Sequence, residues 1–451
     1  MTGYFAGVQD KLNINQIPFT ATKKLTILQK PMCYIFSAAR LCMVRIFCLA
    51  WCFFTLFTTA PAQTGFRAVD GRKHVEIPFE YVNDFIILTI KFNGFIPLKF
   101  IFDTGAEHTI LTKREISDLL RIQYEREFRV TGSDLQTELV AYLARNIRFD
   151  IPDKLYAPSE DILVLQDDYF RFEEYAGVNV HGILSAISFS RFVIKINYDR
   201  QTLTLYDRET YRQRESGFES LPIELYRNKI YLNTTLQVLP DSAAPVKLLI
   251  DTGAGLPMLL FSDTHPLVHP PPKAISSNIG MGLGGYIEGY TGRIYHVSLG
   301  DFSEKGVITY FQTLDSTRNY EYLNNRNGLL GNSLLSHFQV ILDYQNALLW
   351  LKPGQRYNET FVYDRSGLSI IASGSRFNQY IVQNVLPGSP AAEVDIRRDD
   401  QIVGVRRFPA GFFNLSGIQR ILQKKPGKKI HLVIRRDGKR IRKTIVLRDL
   451  I

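Results

Sequence analysis

The stretch Phe100–Leu111, FIFDTGAEHTIL, places an aspartate and a tight turn between two apolar runs. The stretch Leu248–Leu260, LLIDTGAGLPMLL, repeats the same order of apolar residues, Asp-Thr-Gly-Ala and apolar residues. A charged side chain between apolar runs costs free energy unless the fold pairs it or uses it. Two copies in one chain indicate a duplicated functional unit centred on Asp103 and Asp251.

The repeat extends downstream of both turns. Gly182 begins a Gly-Ile-Leu segment 79 residues after Asp103, and Gly328 begins a Gly-Leu-Leu segment 77 residues after Asp251. Similar offsets on the two sides indicate that the whole unit, and not the turn alone, is repeated.

Both copies read as β-structure. Short β-branched and aromatic runs dominate, turn residues such as Asn93-Gly94 separate them, and helical periodicity is weak. We therefore predict two all-β lobes, residues 75–207 and 222–352, in a chain of 451 residues that is too long for one ordinary domain.

The N-terminus has the pattern of a secretory signal peptide. Met43–Ala62 contains an early arginine, about a dozen apolar residues and an Ala-Pro-Ala cleavage site. The apolar run is short for a membrane span, which needs roughly 20 residues. We predict residues 1–62 to be an upstream extension plus a cleaved signal peptide, no stable membrane span after cleavage, and a secreted or periplasmic protein.

Cysteine usage limits the chemistry. All four cysteines (Cys33, Cys42, Cys48, Cys52) lie in this leader, so the mature chain would have no disulfide, thiolate metal site or cysteine nucleophile. The eight histidines show no metal-binding spacing. We expect no metal and no cofactor, and chemistry carried by oxygen and nitrogen groups.

The formal net charge of +10 is concentrated in the leader and in residues 359–451. A basic surface of this kind suits either an anionic partner or a solvated face of a small domain. We expect no nucleic-acid partner.

Two all-β lobes, each with an apolar-apolar-Asp-Thr-Gly-Ala turn and a later apolar-Gly-apolar-apolar segment, resemble the bilobal aspartic proteases. The turns that end in alanine resemble the retropepsin-like branch of that superfamily. The resemblance covers about residues 75–352. It implies a mostly β fold, an endopeptidase acting on peptides or proteins, and a catalytic pair formed by Asp103 and Asp251.

Two carboxylates a few ångströms apart can deprotonate a water and protonate a carbonyl oxygen, because like charges at that distance share one proton. Gly105 and Gly253 would let backbone N–H groups approach the carboxylates. By the resemblance, Thr104 and Thr252 would hydrogen-bond across the lobe interface.

Ala106 and Ala254 stand where pepsin-like turns often have serine, which removes a hydroxyl that could stabilise the ionised pair. We therefore predict a pH optimum less acidic than pepsin's. The repeat is also imperfect, because Ser185 stands where the second copy has Gly331.

The second lobe contains a glycine-rich hairpin, NIGMGLGGYIEGYTGRIYHVSLG, at residues 278–300. It resembles the flap of retroviral proteases, a mobile hairpin that closes over the peptide; a hairpin without a lid role is the alternative. The predicted flap residues are Gly282, Leu283, Gly284, Gly285 and Tyr286. The corresponding region of the first lobe, residues 128–142, has fewer glycines.

Residues 365–451 resemble a bacterial PDZ domain, with Pro-Gly-Ser-Pro-Ala-Ala opening a short helix. PDZ domains bind a peptide as an added strand, although residues 374–379 lack the usual carboxylate-binding loop. We predict a β domain with two helices that either docks a peptide ligand or serves as a scaffold. The predicted groove residues are Phe377, Asn378, Gln379, Tyr380, Ile381 and Val382.

The sequence favours an aspartic endopeptidase in which the PDZ module docks a substrate or partner. The alternative is a catalytically silent protein that binds peptides with the cleft and the PDZ groove. The presence of both aspartates favours the enzyme.

Overall fold

The computed structural model describes residues 65–168, 172–213, 215–282, 285–315, 317 and 320–451. Residues 65–451 belong to one compact unit. The predictions for residues 1–62 lie outside the described residues. Within the described part, no helix has the length and apolar character needed to cross a membrane.

The first half of the unit is mostly strand. Its strands are β1 (Arg67–Ala68), β2 (His74–Pro78), β3 (Glu80–Val82), β4 (Phe85–Phe92), β5 (Ile96–Asp103), β6 (Thr109–Leu111), β7 (Tyr124–Thr131), β8 (Glu138–Ile151), β9 (Leu155–Leu165), β10 (Gly182–Ser185), β11 (Phe192–Asn197) and β12 (Thr202–Asp207). Its α-helices are α1 (Arg114–Leu119) and α2 (Phe172–Ala176), and its 3₁₀ helices are Val69–Gly71 and Ala186–Phe189.

The second half follows the same plan. Its strands are β13 (Glu219–Pro222), β14 (Glu224–Tyr226), β15 (Lys229–Gln237), β16 (Ala243–Asp251), β17 (Met258–Ser262), β18 (Ile275–Gly282), β19 (Gly285–Leu299), β20 (Phe302–Thr313), β21 (Gly328–Gly331), β22 (Phe338–Asp343) and β23 (Leu348–Pro353). Helix α3 is Asn332–Leu335, and a 3₁₀ helix spans Glu321–Leu323.

Two sheets have the same strand order, which defines two lobes. In lobe 1 the path β9-β6-β10-β5-β4-β8-β7 is closed by pairing of β8 with β9, with β1 beside β9 and β3 beside β4. In lobe 2 the equivalent path β20-β17-β21-β16-β15-β19-β18 is closed by pairing of β19 with β20, with β14 beside β15. The prediction of a mostly β chain with two pseudo-symmetric lobes is confirmed.

A third, six-stranded sheet joins the lobes, in the order β13-β23-β22-β11-β12-β2. Its central pair combines one strand from each half, with Ile194 opposite Leu342 and Ile196 opposite Val340. One hydrophobic core runs through both lobes and this sheet. The lobes are therefore held in a fixed relation at the floor between them.

Strand β4 illustrates why these sequences form sheets. Ile86, Leu88, Ile90 and Phe92 are fully buried, whereas the alternating Lys91 is exposed. Such alternation buries one face of a strand. After β4 the chain reverses at Asn93 and Gly94, both at positive φ, as the sequence predicts for a tight hairpin.

The C-terminal module is a small sheet with two short α-helices. Its elements are β24 (Leu368–Ser373), β25 (Gln379–Val385), α4 (Pro390–Glu393), β26 (Gln401–Val405), β27 (Phe408–Pro409), a 3₁₀ helix (Ala410–Phe412), α5 (Leu415–Leu422), β28 (Lys429–Arg436) and β29 (Lys439–Val446). The sheet order is β24-β25-β26-β28-β29, with β27 beside β26.

The module has its own hydrophobic core. Helix α5 contributes Leu415, Ile418, Ile421 and Leu422 on one buried face, and the side chain of Asn414 caps its start by accepting from Gly417 N–H at 2.8 Å. The module can therefore hold its shape while its edge strand contacts other parts of the chain.

Candidate active site

Asp103 and Asp251 end equivalent strands at the floor between the lobes. Each terminates a strand that pairs in parallel with the later glycine-initiated strand, with Asp103 opposite Ser185 and Asp251 opposite Gly331. The two carboxyl groups are neighbours that interact electrostatically, and the turn beside each one packs on the opposite carboxyl. The duplicated turns thus bring their aspartates together within one chain.

Backbone N–H groups of the turns hold both carboxylates. Gly105 and Ala106 donate to Asp103 Oδ1 at 2.6 and 3.0 Å, and Gly253 donates to Asp251 Oδ1 at 2.9 Å. These bonds fix the direction in which each carboxyl group points.

Each turn glycine packs directly on the opposite aspartate. A Cβ on Gly105 would lie 2.7 Å from Asp251 Cγ, and a Cβ on Gly253 would collide with Asp103 Cγ. Any side chain at these positions would push the carboxyl groups apart, so glycine is required by close approach.

The two threonines form a reciprocal hydrogen-bond pair across the lobe interface. Thr104 N–H donates to Thr252 Oγ1 at 3.1 Å, and Thr252 N–H donates to Thr104 Oγ1 at 3.0 Å. Their hydroxyls donate onward to Ile250 O at 2.7 Å and Phe102 O at 2.9 Å. Both threonines are about 1% exposed, so this pair fixes one turn against the other.

Burial and mutual repulsion raise the pKa of the Asp103 carboxyl well above its usual range, against the opposing effect of the Gly105 N–H. Burial also raises the pKa of Asp251, but the positive charges of Arg326 and Lys229 and the Gly253 N–H oppose that rise. The pair therefore retains a proton to higher pH than isolated carboxyls, and the charges of Arg326 and Lys229 favour the ionised form of Asp251.

The imperfect repeat at Ser185 has a structural explanation. Ser185 Oγ donates to Ala106 O at 2.6 Å, whereas in lobe 2 the equivalent Ala254 O accepts from Asn332 N–H at 2.8 Å. A Cβ at Gly331 would collide with Leu256 O. The carbonyl oxygen of the turn alanine is therefore hydrogen-bonded in both lobes, by the Ser185 hydroxyl in lobe 1 and by the Asn332 N–H in lobe 2.

A cavity of about 220 Å³ lies above the two carboxyls and is lined by both lobes. Part of its wall is apolar, including Phe85, Phe172 and Ile183. The ring of Phe85 meets that of Phe172 edge-on, with centroids 4.5 Å apart. A wall of this kind can accept an apolar side chain of a bound peptide.

Three charged residues that the sequence analysis did not single out also line the cavity: Lys229, Arg326 and Glu107. The repeat could have revealed Lys229. Strand β4 pairs with β5, which ends in Asp103, and strand β15 pairs in the same register with β16, which ends in Asp251. This register makes Phe85 and Lys229 equivalent. Comparing the two copies residue by residue would have exposed the change from aromatic to cationic.

The predicted flap of lobe 2 corresponds to the hairpin of β18 and β19, which pair down to Gly282 opposite Gly285. Leu283 and Gly284 lie outside the described residues, whereas Gly285 begins the returning strand β19 and Tyr286 follows it, opposite Met281. Ile287, the next residue, lines the cavity. The flap role itself stays a prediction.

The equivalent hairpin of lobe 1, β7 and β8, also reaches the cavity. Thr131, Gly132, Ser133 and Leu135 line it, and Gln312 of lobe 2 donates to Asp134 O at 3.1 Å. The lower glycine content noted in the sequence therefore does not keep this hairpin away from the site.

The predicted peptide groove of the C-terminal module does not fit its topology. Phe377 and Asn378 lie in or beside the turn before β25, and Gln379, Tyr380, Ile381 and Val382 lie in β25, which pairs with β24 on one side and β26 on the other. A strand paired on both sides cannot accept a third. The outer strands of this sheet are β24 and β29.

Of these two strands, β24 packs against lobe 1. Helix α2 packs against β24, and Gly177 lies so close to the start of α5 that a Cβ there would be 3.1 Å from Leu415 Cβ. The side chain of Gln383 donates to the hydroxyl of Tyr175. The C-terminal module is thus in contact with the helix that carries Phe172.

Asn83, at the turn before β4, links helix α2 to the C-terminal module. Its side-chain amide donates to Tyr175 O at 3.2 Å and Ala176 O at 3.0 Å, and Ser416 Oγ donates to its side-chain oxygen. The module therefore contacts both segments that supply the apolar cavity wall, through Phe172 and through Phe85.

No group of side chains in the described part of the chain has the arrangement of a metal site. No family model matches the chain, and no curated protein matches it.

Among solved structures, basic 7S globulin from soybean is similar at 9% identity and a TM-score of 0.39, covering 64% of this chain and 97% of that chain. The aspartic proteinase from Irpex lacteus is similar at 13% identity and a TM-score of 0.40, covering 64% of this chain and 99% of that chain. Similarity at this level carries no information about activity.

Proposed function

We propose that this chain is an aspartic endopeptidase with a complete catalytic site in a single chain. The observation that carries the proposal is the electrostatic interaction between the neighbouring Asp103 and Asp251 carboxyls, on equivalent turns, at the floor of a cavity lined by both lobes. Their raised pKa values suit a pair that shares one proton. The finer assignment to the retropepsin-like branch rests on the alanine-ended turns alone.

In the proposed reaction the shared proton starts on Asp103 and the negative charge on Asp251. Asp251 accepts a proton from the attacking water, whose oxygen bonds to the peptide carbonyl carbon, while Asp103 donates its proton to the carbonyl oxygen. The tetrahedral diol then collapses: the C–N bond breaks, Asp251 gives its proton to the leaving nitrogen, and a diol hydroxyl returns a proton to Asp103.

The surroundings of the pair supply the preorganisation that this sequence of steps needs. The turn N–H groups hold Oδ1 of each carboxyl, and the threonine pair prevents the lobes from shifting the carboxyls apart. Positioning of this kind is effective because displacement by about 1 Å can cost roughly 10²-fold in rate.

We also propose that the C-terminal module braces the cleft. Of the two roles predicted from its resemblance to PDZ domains, scaffolding is favoured because its outer strand β24 already packs against α2. A peptide ligand adding to β24 would have to displace that helix. The predicted secretion of the protein remains part of this proposal.

The direct test compares the purified chain with Asp103→Asn and Asp251→Asn on a denatured protein substrate. Asp241→Asn, an exposed loop residue, is the matched control. We expect both dyad variants to lose activity on the order of 10²–10⁴-fold, with the control unchanged. Cleavage that survives either substitution would defeat the assignment, and peptide binding without cleavage by any form would favour the silent binder.

Bracing by the module is tested with Tyr175→Phe, which removes the hydroxyl that accepts from Gln383. We expect a several-fold loss in kcat/KM with the melting temperature nearly unchanged. Equal activity of this variant and the wild type would argue against a bracing role.

A further inference from the structure

Lobe 2 places two cationic side chains in the wall of the catalytic cavity. Lys229 is only 8% exposed, and Arg326 is half-buried, with its guanidinium 5.5 Å from the centre of the Phe261 ring. In the described part of the chain neither makes an ion pair, and Arg326 Nε has no hydrogen-bond partner. Burying cations without partners is costly.

The two cations are close enough to repel each other. Burial and the nearby charge of Arg326 lower the pKa of the Lys229 ammonium. A fold that keeps two like charges together in a cavity gains free energy when an anion arrives between them.

In number, Glu107 and the single charge of the proposed pair balance the two cations, but within the described residues no carboxylate forms an ion pair with Lys229 or Arg326. Among the described lining residues, Glu107 is the only carboxylate besides the proposed pair, and its Oε2 lacks a hydrogen-bond partner. Asp103 and Asp251 carry at most one negative charge in the working state. The phenols of Tyr231 and Tyr322 are the other titratable groups that interact with Arg326.

The repeat shows that these cations are not required by the fold. Lys229 is equivalent to Phe85 in strand register. Arg326 lies two residues before Gly328, and Val180 lies two residues before Gly182; the intervening Asn327 and His181 make matching backbone hydrogen bonds to Lys247 O and Lys99 O. Lobe 1 therefore has apolar residues at both positions.

We propose that Lys229 and Arg326 form a substrate subsite that binds a carboxylate beside the scissile bond, opposite an apolar subsite lined by Phe85 and Phe172. The preferred substrate would then carry a carboxylate on one side of the cleaved bond and an apolar side chain on the other. The inference rests on the proposed function, since it assigns the substrate class of the same cavity.

The experiment measures kcat/KM on a peptide cleaved by the chain and on versions in which the residues flanking the bond are changed from Glu to Gln. The proteins are the wild type, Lys229→Met, Lys229→Arg, Arg326→Met and, as control, Lys305→Met. Lys305 is an exposed lysine of lobe 2 away from the cavity.

We expect the wild type and Lys305→Met to prefer the Glu peptide by at least about 10-fold, as a charge-assisted contact predicts. Lys229→Arg should retain the preference, whereas Lys229→Met and Arg326→Met should bring the ratio close to one. A wild-type ratio at or below one would overturn the proposal, as would an unchanged ratio in both methionine variants.

Two further measurements distinguish failure of the subsite from failure of the proposed function, and identify the source of the carboxylate. If no form cleaves any peptide, the proposed function fails, and fluorescence anisotropy with the same Glu and Gln peptides tests the subsite by binding alone: equal affinities would overturn it. Peptides with free or amidated C-termini identify the source of the carboxylate. Loss of preference on amidation assigns the subsite to the peptide end, and retention assigns it to an acidic side chain.

Discussion

The two lobes share a frame but differ in the wall that they present to the cavity. Their strand order, their parallel register beside each aspartate and their threonine contacts are the same. At equivalent wall positions, however, lobe 1 has Phe85 where lobe 2 has Lys229.

This difference separates two demands on the sequence. The frame must bring two carboxyls together, which leaves no freedom at the turn glycines or threonines. The wall only contacts what enters the cavity, so its residues can change without disturbing the frame. The proposed chemistry therefore belongs to what the lobes share, and the proposed specificity to what distinguishes them.

The largest expected effect comes from breaking the shared frame. Gly253→Ala would drive a methyl group into Asp103, and Gly105→Ala would do the same to Asp251. We expect each to lower kcat/KM by about 10²-fold or more, because the carboxyls would separate. Steady-state kinetics on one peptide measures this.

Gly411→Ala is the control for the glycine variants, because a Cβ there meets nothing within 4 Å. Near-normal rates for Gly253→Ala would mean that close packing of the turn on the opposite aspartate is not needed for activity.

The threonine pair should be equally sensitive from both sides. Thr104→Val leaves Thr252 N–H and Ile250 O without partners, and Thr252→Val leaves Thr104 N–H and Phe102 O without partners. At about 1–3 kcal/mol for each buried orphaned group, both variants should lose several kcal/mol in free energy of unfolding. Denaturant titration checks this, and a large loss in only one variant would contradict the symmetry.

Exchanging Ser185 and Gly331 tests where the frame itself is asymmetric. Gly331→Ser would place a side chain against Leu256 O and should strongly destabilise the fold, whereas Ser185→Gly loses one hydrogen bond and should cost about 1 kcal/mol. Thermal unfolding of the two variants compares them. Similar melting temperatures would show that the two turns are interchangeable.

The smallest effect is expected on the pH profile. Arg326 lowers the pKa of Asp251 against burial, so removing its charge in Arg326→Met makes the ionised carboxylate less favourable and raises that pKa. The acid limb of kcat/KM should therefore move to higher pH. A shift to lower pH would contradict the assignment of the negative charge to Asp251.

The sequence predicted the parts of this molecule that are fixed by local geometry. Two identical Asp-Thr-Gly-Ala turns at nearly equal offsets from later glycines require equivalent environments, so the paired aspartates and the lobes followed from the repeat. Asn93-Gly94 likewise marked its hairpin because few residues adopt positive φ there.

The features that the sequence did not reveal depend on long-range packing. Lys229 looks like an ordinary strand lysine until the register places it in the cavity wall, and the contact of β24 with α2 joins segments almost two hundred residues apart. The predicted groove in β25 was wrong for the same reason, since hairpin order alone does not say which strand lies at the edge.

The most direct test of the central claim, that one chain supplies both carboxyls of one site, is a mixing experiment. Purified Asp103→Asn and Asp251→Asn proteins are combined at increasing concentration, and peptide cleavage is measured beside the wild type. Each variant lacks one of the two aspartates of its own active site, and a second chain cannot supply it. The account therefore predicts no recovery of activity at any ratio. Recovery that grows with concentration would show that the aspartates pair between chains and would contradict it.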